Sequence, residues 1–121
     1  MASKKTVVLG ASANPARYSF LAINRLAAHH HPTIAIGKKG GKVGEVDIIT
    51  EHPEEKEVDT ITLYLNPLNQ KPYYDYILSL HPKRIIFNPG TENDELENLA
   101  KAKGIQTLEA CTLVMLRTGQ Y

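Results

Sequence analysis

The stretch from Thr6 to Pro15, read as TVVLGASANP, constrains the fold more than any other part of the chain. Apolar, partly β-branched residues run into Gly10 and small residues, and an amphipathic segment follows. This pattern predicts a buried strand, a tight turn and a helix, with Asn14 as the N-cap and Pro15 as the first helical residue. Backbone N–H groups and a positive helix end would then face the loop, as in phosphate sites. The G-x-S pattern lacks the full dinucleotide fingerprint, so a strand–turn–helix corner without a ligand is the alternative.

The helix predicted for residues 15–29 places Arg17 in its first turn. A cation at a helix N-terminus is unfavourable for the helix dipole, which suggests an anion nearby; a solvated surface arginine is the alternative. Three histidines, 29–31, end this helix. Adjacent histidines cannot all face one metal ion, and we interpret them as a polar helix end.

The second predicted strand, 33–36, leads into a cationic, glycine-rich loop over residues 37–44. In a nucleotide-binding βαβ unit, the end of this strand carries the carboxylate that holds the ribose diol of NAD. Here Gly37 is followed by Lys38 and Lys39, and no carboxylate is present. The loop therefore favours a phosphorylated ribose, with a merely solvated lysine loop as the alternative.

Strands and helices alternate along the rest of the chain. Strands are predicted at 46–49 (a short edge strand), 58–65, 84–87 and 105–108, and helices from about 70–72, after the cap at 91–93, and at 110–116. This order predicts an α/β fold, with a mostly parallel sheet covered by helices on both faces. The loops at 10–15, 66–67 and 88–90 would meet at the carboxyl edge of that sheet, where ligands bind.

Length and charge narrow the class of protein. A chain of 121 residues with a formal net charge of +1 predicts one domain, 1–121, without a global basic field for nucleic acid. A single cysteine excludes an internal disulfide. The N-terminal apolar run is too short for a signal peptide or a membrane span, so we expect a soluble cytoplasmic protein.

Four segments, 8–15 together with Arg17, 37–41, 88–93 and 110–112, carry a resemblance to a known family. In their order and spacing the chain resembles the small stand-alone coenzyme A-binding proteins with a Rossmann-like fold. These are similar to the N-terminal nucleotide-binding domain of the succinyl-CoA synthetase alpha subunit. The synthetase's phosphorylated histidine lies in a separate domain, and no histidine of this chain matches it.

The resemblance implies a bound coenzyme A (CoA). Its diphosphate would lie over the first loop and the following helix, its 3′-phosphate or adenosine near the two lysines, and its adenine near residues 66–67. Cys111 would be a packing residue or would meet the thiol end of CoA. The candidate cofactor-binding residues are Gly10, Ala11, Ser12, Asn14, Pro15, Arg17, Tyr18, Gly37, Lys38, Lys39, Asn66, Pro67, Asn88 and Pro89, with no catalytic or metal-binding residue.

These observations favour a module that binds CoA or an acyl-CoA without catalysis of its own. A small NADP-dependent oxidoreductase is one alternative, because a 2′-phosphate would also suit the lysine loop. A regulatory subunit of an acyl-CoA enzyme is another, and the expected partners are a nucleotide ligand and either such an enzyme or further copies of the chain.

Overall fold

The computed structural model describes residues 3–121, which fold around one seven-stranded sheet. The strands are β1 (Thr6–Leu9), β2 (Thr33–Ile36), β3 (Gly41–Val43), β4 (Val46–Ile49), β5 (Thr60–Leu63), β6 (Arg84–Phe87) and β7 (Gln106–Glu109). The helices are α1 (Tyr18–Ala28), α2 (Pro67–Gln70), α3 (Tyr74–Leu80), α4 (Asp94–Ala102) and α5 (Thr112–Arg117), with a 3₁₀ turn at Lys71–Tyr73.

The sheet is parallel except at one edge. Its strand order is β3-β4-β2-β1-β5-β6-β7, and among the strands of residues 3–121 only β3 and β4 pair antiparallel. β1 lies at the centre, so the chain reverses its direction of travel across the sheet there. The predicted α/β, Rossmann-like architecture is confirmed.

Side chains that alternate along the strands fill two cores. Val7 and Leu9 of β1 pack on one face with Ile77 of α3 and Leu96 of α4. Val8 packs on the other face, against residues of α1 and α5. A strand buried on both faces reads as a continuous apolar run, which explains the sequence of β1.

The predicted start of the first helix is wrong by three residues. Asn14 opens a turn: its Oδ1 accepts from the Ala16 amide at 3.0 Å, and its carbonyl accepts from the Arg17 amide at 3.0 Å. Arg17, in an extended conformation, is the N-cap of α1. An asparagine side chain that bonds two residues on competes with helix capping, and this local turn prevailed here.

Two further boundaries differ from the sequence prediction. The last part of the predicted lysine loop is strand β3, which pairs with β4 through a turn at Gly44, so β3 and not β4 forms the edge. Asn66 caps α2 by accepting from the Asn69 amide at 2.9 Å, so helical structure begins at Pro67 and not near residue 70. Strand β5 also spans fewer residues than the 58–65 predicted.

Candidate functional site

A cleft of about 810 Å³ opens at the carboxyl edge of the sheet, beside the central strand. It is lined by Gly10, Ala11, Ser12, Ala13, Asn14, Arg17, Tyr18, Ser19, Gly37, Lys38, Lys39, Gly40, Tyr64, Leu65, Asn66, Asn69, Tyr73, Pro89, Gly90 and Thr91. These residues come from the loops that follow β1, β2, β5 and β6, from the first turn of α1, and from α2 and the 3₁₀ turn after it. In an open parallel sheet this is the place where ligands bind, since the loops diverge where the strand order reverses.

The loop after β1 is held close to its neighbours by glycine. Gly10 has φ +89°, and a Cβ there would lie 2.8 Å from the Tyr64 carbonyl carbon. The amides of Gly10 and Ala11 both donate to the Ile36 carbonyl, at 3.0 and 2.9 Å. These two amides are therefore used within the protein, and the glycine serves the turn and its close packing.

The donors left for a ligand lie further along this loop. In the part of the chain that the structure describes, the amides of Ser12 and Ala13 make no hydrogen bond, and both residues line the cleft. Tyr18 and Ser19, the first two residues of α1, line it as well, and amides at that end of a helix have no intrahelical acceptor. The loop and the helix end together form a site suited to an anion.

The loop after β2 supplies positive charge. Lys38 and Lys39 are exposed and line the cleft, as does Arg17 on the facing turn. Among residues 3–121 none of these three cations makes a salt bridge, and no carboxylate lines the cleft. Gly37 is buried where this loop meets the loop after β1. A Cβ at this position would lie 2.3 Å from the Ala11 carbonyl oxygen, so the close approach of the two loops requires glycine. The cleft is thus a region of unbalanced positive charge.

The opposite wall follows β5 and β6. Asn66, the N-cap of α2, and Asn69 within α2 both line this wall. Tyr73 contributes an aromatic ring, whose centroid lies 4.9 Å from that of the His52 ring. Pro89, Gly90 and Thr91, from the loop after β6, also line the cleft. This wall offers amide groups and an aromatic surface in place of charge.

Three of the candidate residues do not line the cleft. Pro15 lies in the turn before α1, and Pro67 is the first residue of α2. Asn88 is 2% exposed: its Nδ2 donates to Thr62 Oγ1 at 2.7 Å and to the Leu63 carbonyl at 2.9 Å, and its Oδ1 accepts from the Thr112 amide at 2.8 Å. Asn88 therefore joins β5, β6 and α5 beneath the cleft.

Tyr64 contributes to the cleft although the sequence did not single it out. Its hydroxyl is buried near the hydroxyls of Thr62 and Thr112, which already bond each other at 2.8 Å. Within residues 3–121 the Tyr64 hydroxyl makes no hydrogen bond of its own. Burial raises the pKa of Tyr64 above its usual range, and the nearby Cys111 thiol raises it further. Cys111 itself is half-buried before α5 and does not line the cleft.

Comparison with known proteins identifies the class. A family model described as a CoA binding domain matches residues 4–117, and the chain belongs to this family. The resemblance inferred from the sequence is confirmed. No curated protein is significantly similar to the chain.

Solved structures agree on the fold. One, described as an uncharacterized protein, is 52% identical, with a TM-score of 0.96 and complete coverage of both chains. A hypothetical protein from Pyrococcus horikoshii OT3 is 19% identical, with a TM-score of 0.85 over 96% of this chain and 83% of its own. A Thermus thermophilus structure, also 19% identical, has a TM-score of 0.85 over 98% of this chain and 91% of its own.

The helices were also considered as possible membrane spans. Within residues 3–121, no helix combines the length and the apolar character needed to cross a bilayer.

Proposed function

We propose that this protein binds coenzyme A, free or acylated, in the cleft at the carboxyl edge of its sheet. The observation that carries the proposal is the charge of the cleft: three unpaired cations and no carboxylate among its described lining residues. CoA carries a diphosphate and a 3′-phosphate on its ribose, so it matches a site of this charge. Membership of a CoA-binding family supports the same ligand.

The diphosphate is assigned to the first loop. Amides of Ser12 and Ala13 have no partner in the described chain, and the N-terminus of α1 adds its positive dipole end. Arg17, the N-cap residue, can add a charge-assisted hydrogen bond to a phosphate oxygen. Its place in the turn, unfavourable for the helix alone, is explained by an anionic ligand.

The 3′-phosphate is assigned to Lys38 and Lys39. Both side chains are exposed and free of salt bridges in the described chain, so an incoming phosphate does not compete with a carboxylate. The adenine is assigned to the opposite wall, beside Asn66 and Asn69, where amide groups can pair with its edge.

A binding role without chemistry is part of the proposal. No histidine, cysteine or carboxylate is among the described residues lining the cleft, so a general base that works near neutral pH is lacking there. Tyr64 does not supply one, because its raised pKa keeps the hydroxyl protonated.

Melting temperatures with four nucleotides test this function. CoA should raise the melting temperature most, dephospho-CoA less, and NAD least, because only CoA presents both the diphosphate and the 3′-phosphate. NADP is the informative competitor, since its 2′-phosphate would also suit the lysines. A larger shift with NADP than with CoA would favour the oxidoreductase alternative, and equal shifts with all four would refute the role of the lysines.

A further inference from the structure

Gln70 is a fully buried amide that does not line the cleft. It is the last residue of α2 and 0% exposed. Its Nε2 donates to the Leu65 carbonyl and to the Thr91 carbonyl, each at 2.8 Å. Both hydrogens of this amide are therefore used, and both acceptors belong to residues that line the cleft.

The oxygen of the same side chain extends the network to α4. Gln70 Oε1 accepts from Asn93 Nδ2 at 2.8 Å. Asn93 is the N-cap of α4, its Oδ1 accepting from the Leu96 amide at 3.2 Å, and its Nδ2 also donates to the Tyr74 hydroxyl at 2.8 Å. One amide thus links the loop after β5, the loop after β6 and the first turn of α4.

We infer that Gln70 is a positioning residue for the ligand: it sets the separation of the two loops that form the uncharged wall of the cleft. The inference rests on the proposed CoA site and adds a determinant of affinity that never touches the ligand. An amide is suited to this role because its Nε2 lies 2.8 Å from the carbonyl oxygens of both loops and holds both at fixed positions. Apolar packing is not directional and would not fix the separation of the loops.

The substitution Gln70→Glu tests this by keeping the size and shape of the side chain. The introduced carboxylate still accepts from Asn93, but it presents an oxygen in place of the donating nitrogen to the two loop carbonyls. At pH 8 we expect the Kd for CoA to rise about tenfold or more, since the loops separate to relieve the repulsion. As the pH falls the buried carboxyl group takes up a proton, and its single O–H can donate to one of the two loop carbonyls, so part of the lost affinity should return.

Gln106→Glu is the matched control. Gln106 is an exposed residue of β7, and the same change of charge there should leave the Kd and its pH dependence as they are in the unchanged protein. Isothermal titration well below the melting temperature measures the affinity of folded protein in each case. If Gln70→Glu does not yield folded protein, Gln70→Asn takes its place, because its shorter amide cannot reach both carbonyls.

The outcomes separate this inference from the function on which it rests. No binding of CoA by the unchanged protein refutes the proposed function and the inference with it. Binding by the unchanged protein, with a lowered melting temperature but the same Kd in the Gln70 variant, refutes the inference alone, because that is the effect of a purely structural residue. A raised Kd supports it, with partial recovery at lower pH in Gln70→Glu.

Discussion

Gly37→Ala tests the closest contact between the two loops of the positively charged wall. A Cβ at Gly37 would lie 2.3 Å from the Ala11 carbonyl oxygen, 1.1 Å short of the 3.4 Å at which ordinary contacts begin. The obstacle is backbone that cannot easily retreat, because the Ala11 amide donates to Ile36 at 2.9 Å and the Gly37 amide donates to Ile49 at 3.0 Å. Relief of the clash must strain or break one of these bonds.

The expected cost combines overpacking with a weakened hydrogen bond, about 2–4 kcal/mol of the free energy of unfolding. For a chain of this length, that corresponds to a fall in melting temperature of roughly 8–16 °C, measurable by calorimetry or circular dichroism. CoA affinity should fall as well, because the displaced Ala11 precedes the amides assigned to the diphosphate.

Gly40→Ala is the matched control for this prediction. Gly40 lies in the same loop and also lines the cleft, but the nearest atom to a Cβ there is 3.6 Å away. Its melting temperature should change by less than about 2 °C. Equal melting temperatures for the two variants would show that the loops do not approach each other as described.

Two further predictions concern residues outside the cleft. Asn88→Leu should lower the free energy of unfolding by about 3 kcal/mol in urea denaturation, because it removes three hydrogen bonds made by a 2% exposed side chain, including the one to the Thr112 amide. A loss below about 1 kcal/mol would contradict this role. His31 Nδ1 accepts from the Lys4 amide at 2.9 Å, and burial, then the charges of His29, Lys4 and Arg84, lower its pKa. The neutral ring therefore contributes stability that is fully present above the unfolded pKa of about 6.5 and is lost as the pH falls through the lower folded value. His31→Asn should reduce the drop in urea midpoint between pH 7 and pH 5, and an unchanged drop would contradict the assignment.

The sheet could be predicted from the sequence because the same strand pattern occurs several times along the chain. β1, β5 and β6 are buried on both faces, and each is rich in β-branched and apolar residues and is followed by glycine, asparagine or proline. Alternation with helices implies parallel pairing, and parallel pairing brings the loops to one edge. The candidate residues that line the cleft follow from that logic together with the family resemblance.

The details that failed depend on contacts distant in the chain or on competing local bonds. Asn14 could cap a helix or close a turn, and the sequence contains both signals. The pairing of Gly41–Val43 depends on β4, so composition alone suggested a loop. Gln70 resembles an ordinary polar helix residue, because its partners Leu65 and Thr91 become neighbours only when the loops after β5 and β6 meet.

The most direct test of the account compares CoA with dephospho-CoA, which lacks the 3′-phosphate, by isothermal titration. The unchanged protein should prefer CoA by about tenfold, equivalent to about 1.4 kcal/mol, and the double variant Lys38→Ala with Lys39→Ala should lose that preference while keeping its melting temperature. The control variant Lys101→Ala with Lys103→Ala removes the same charge from exposed positions at the end of α4. This control should retain the preference for CoA over dephospho-CoA. Equal affinity of the unchanged protein for the two nucleotides, or a preference that survives in the Lys38–Lys39 variant, would contradict the claim that these lysines hold a phosphorylated ribose.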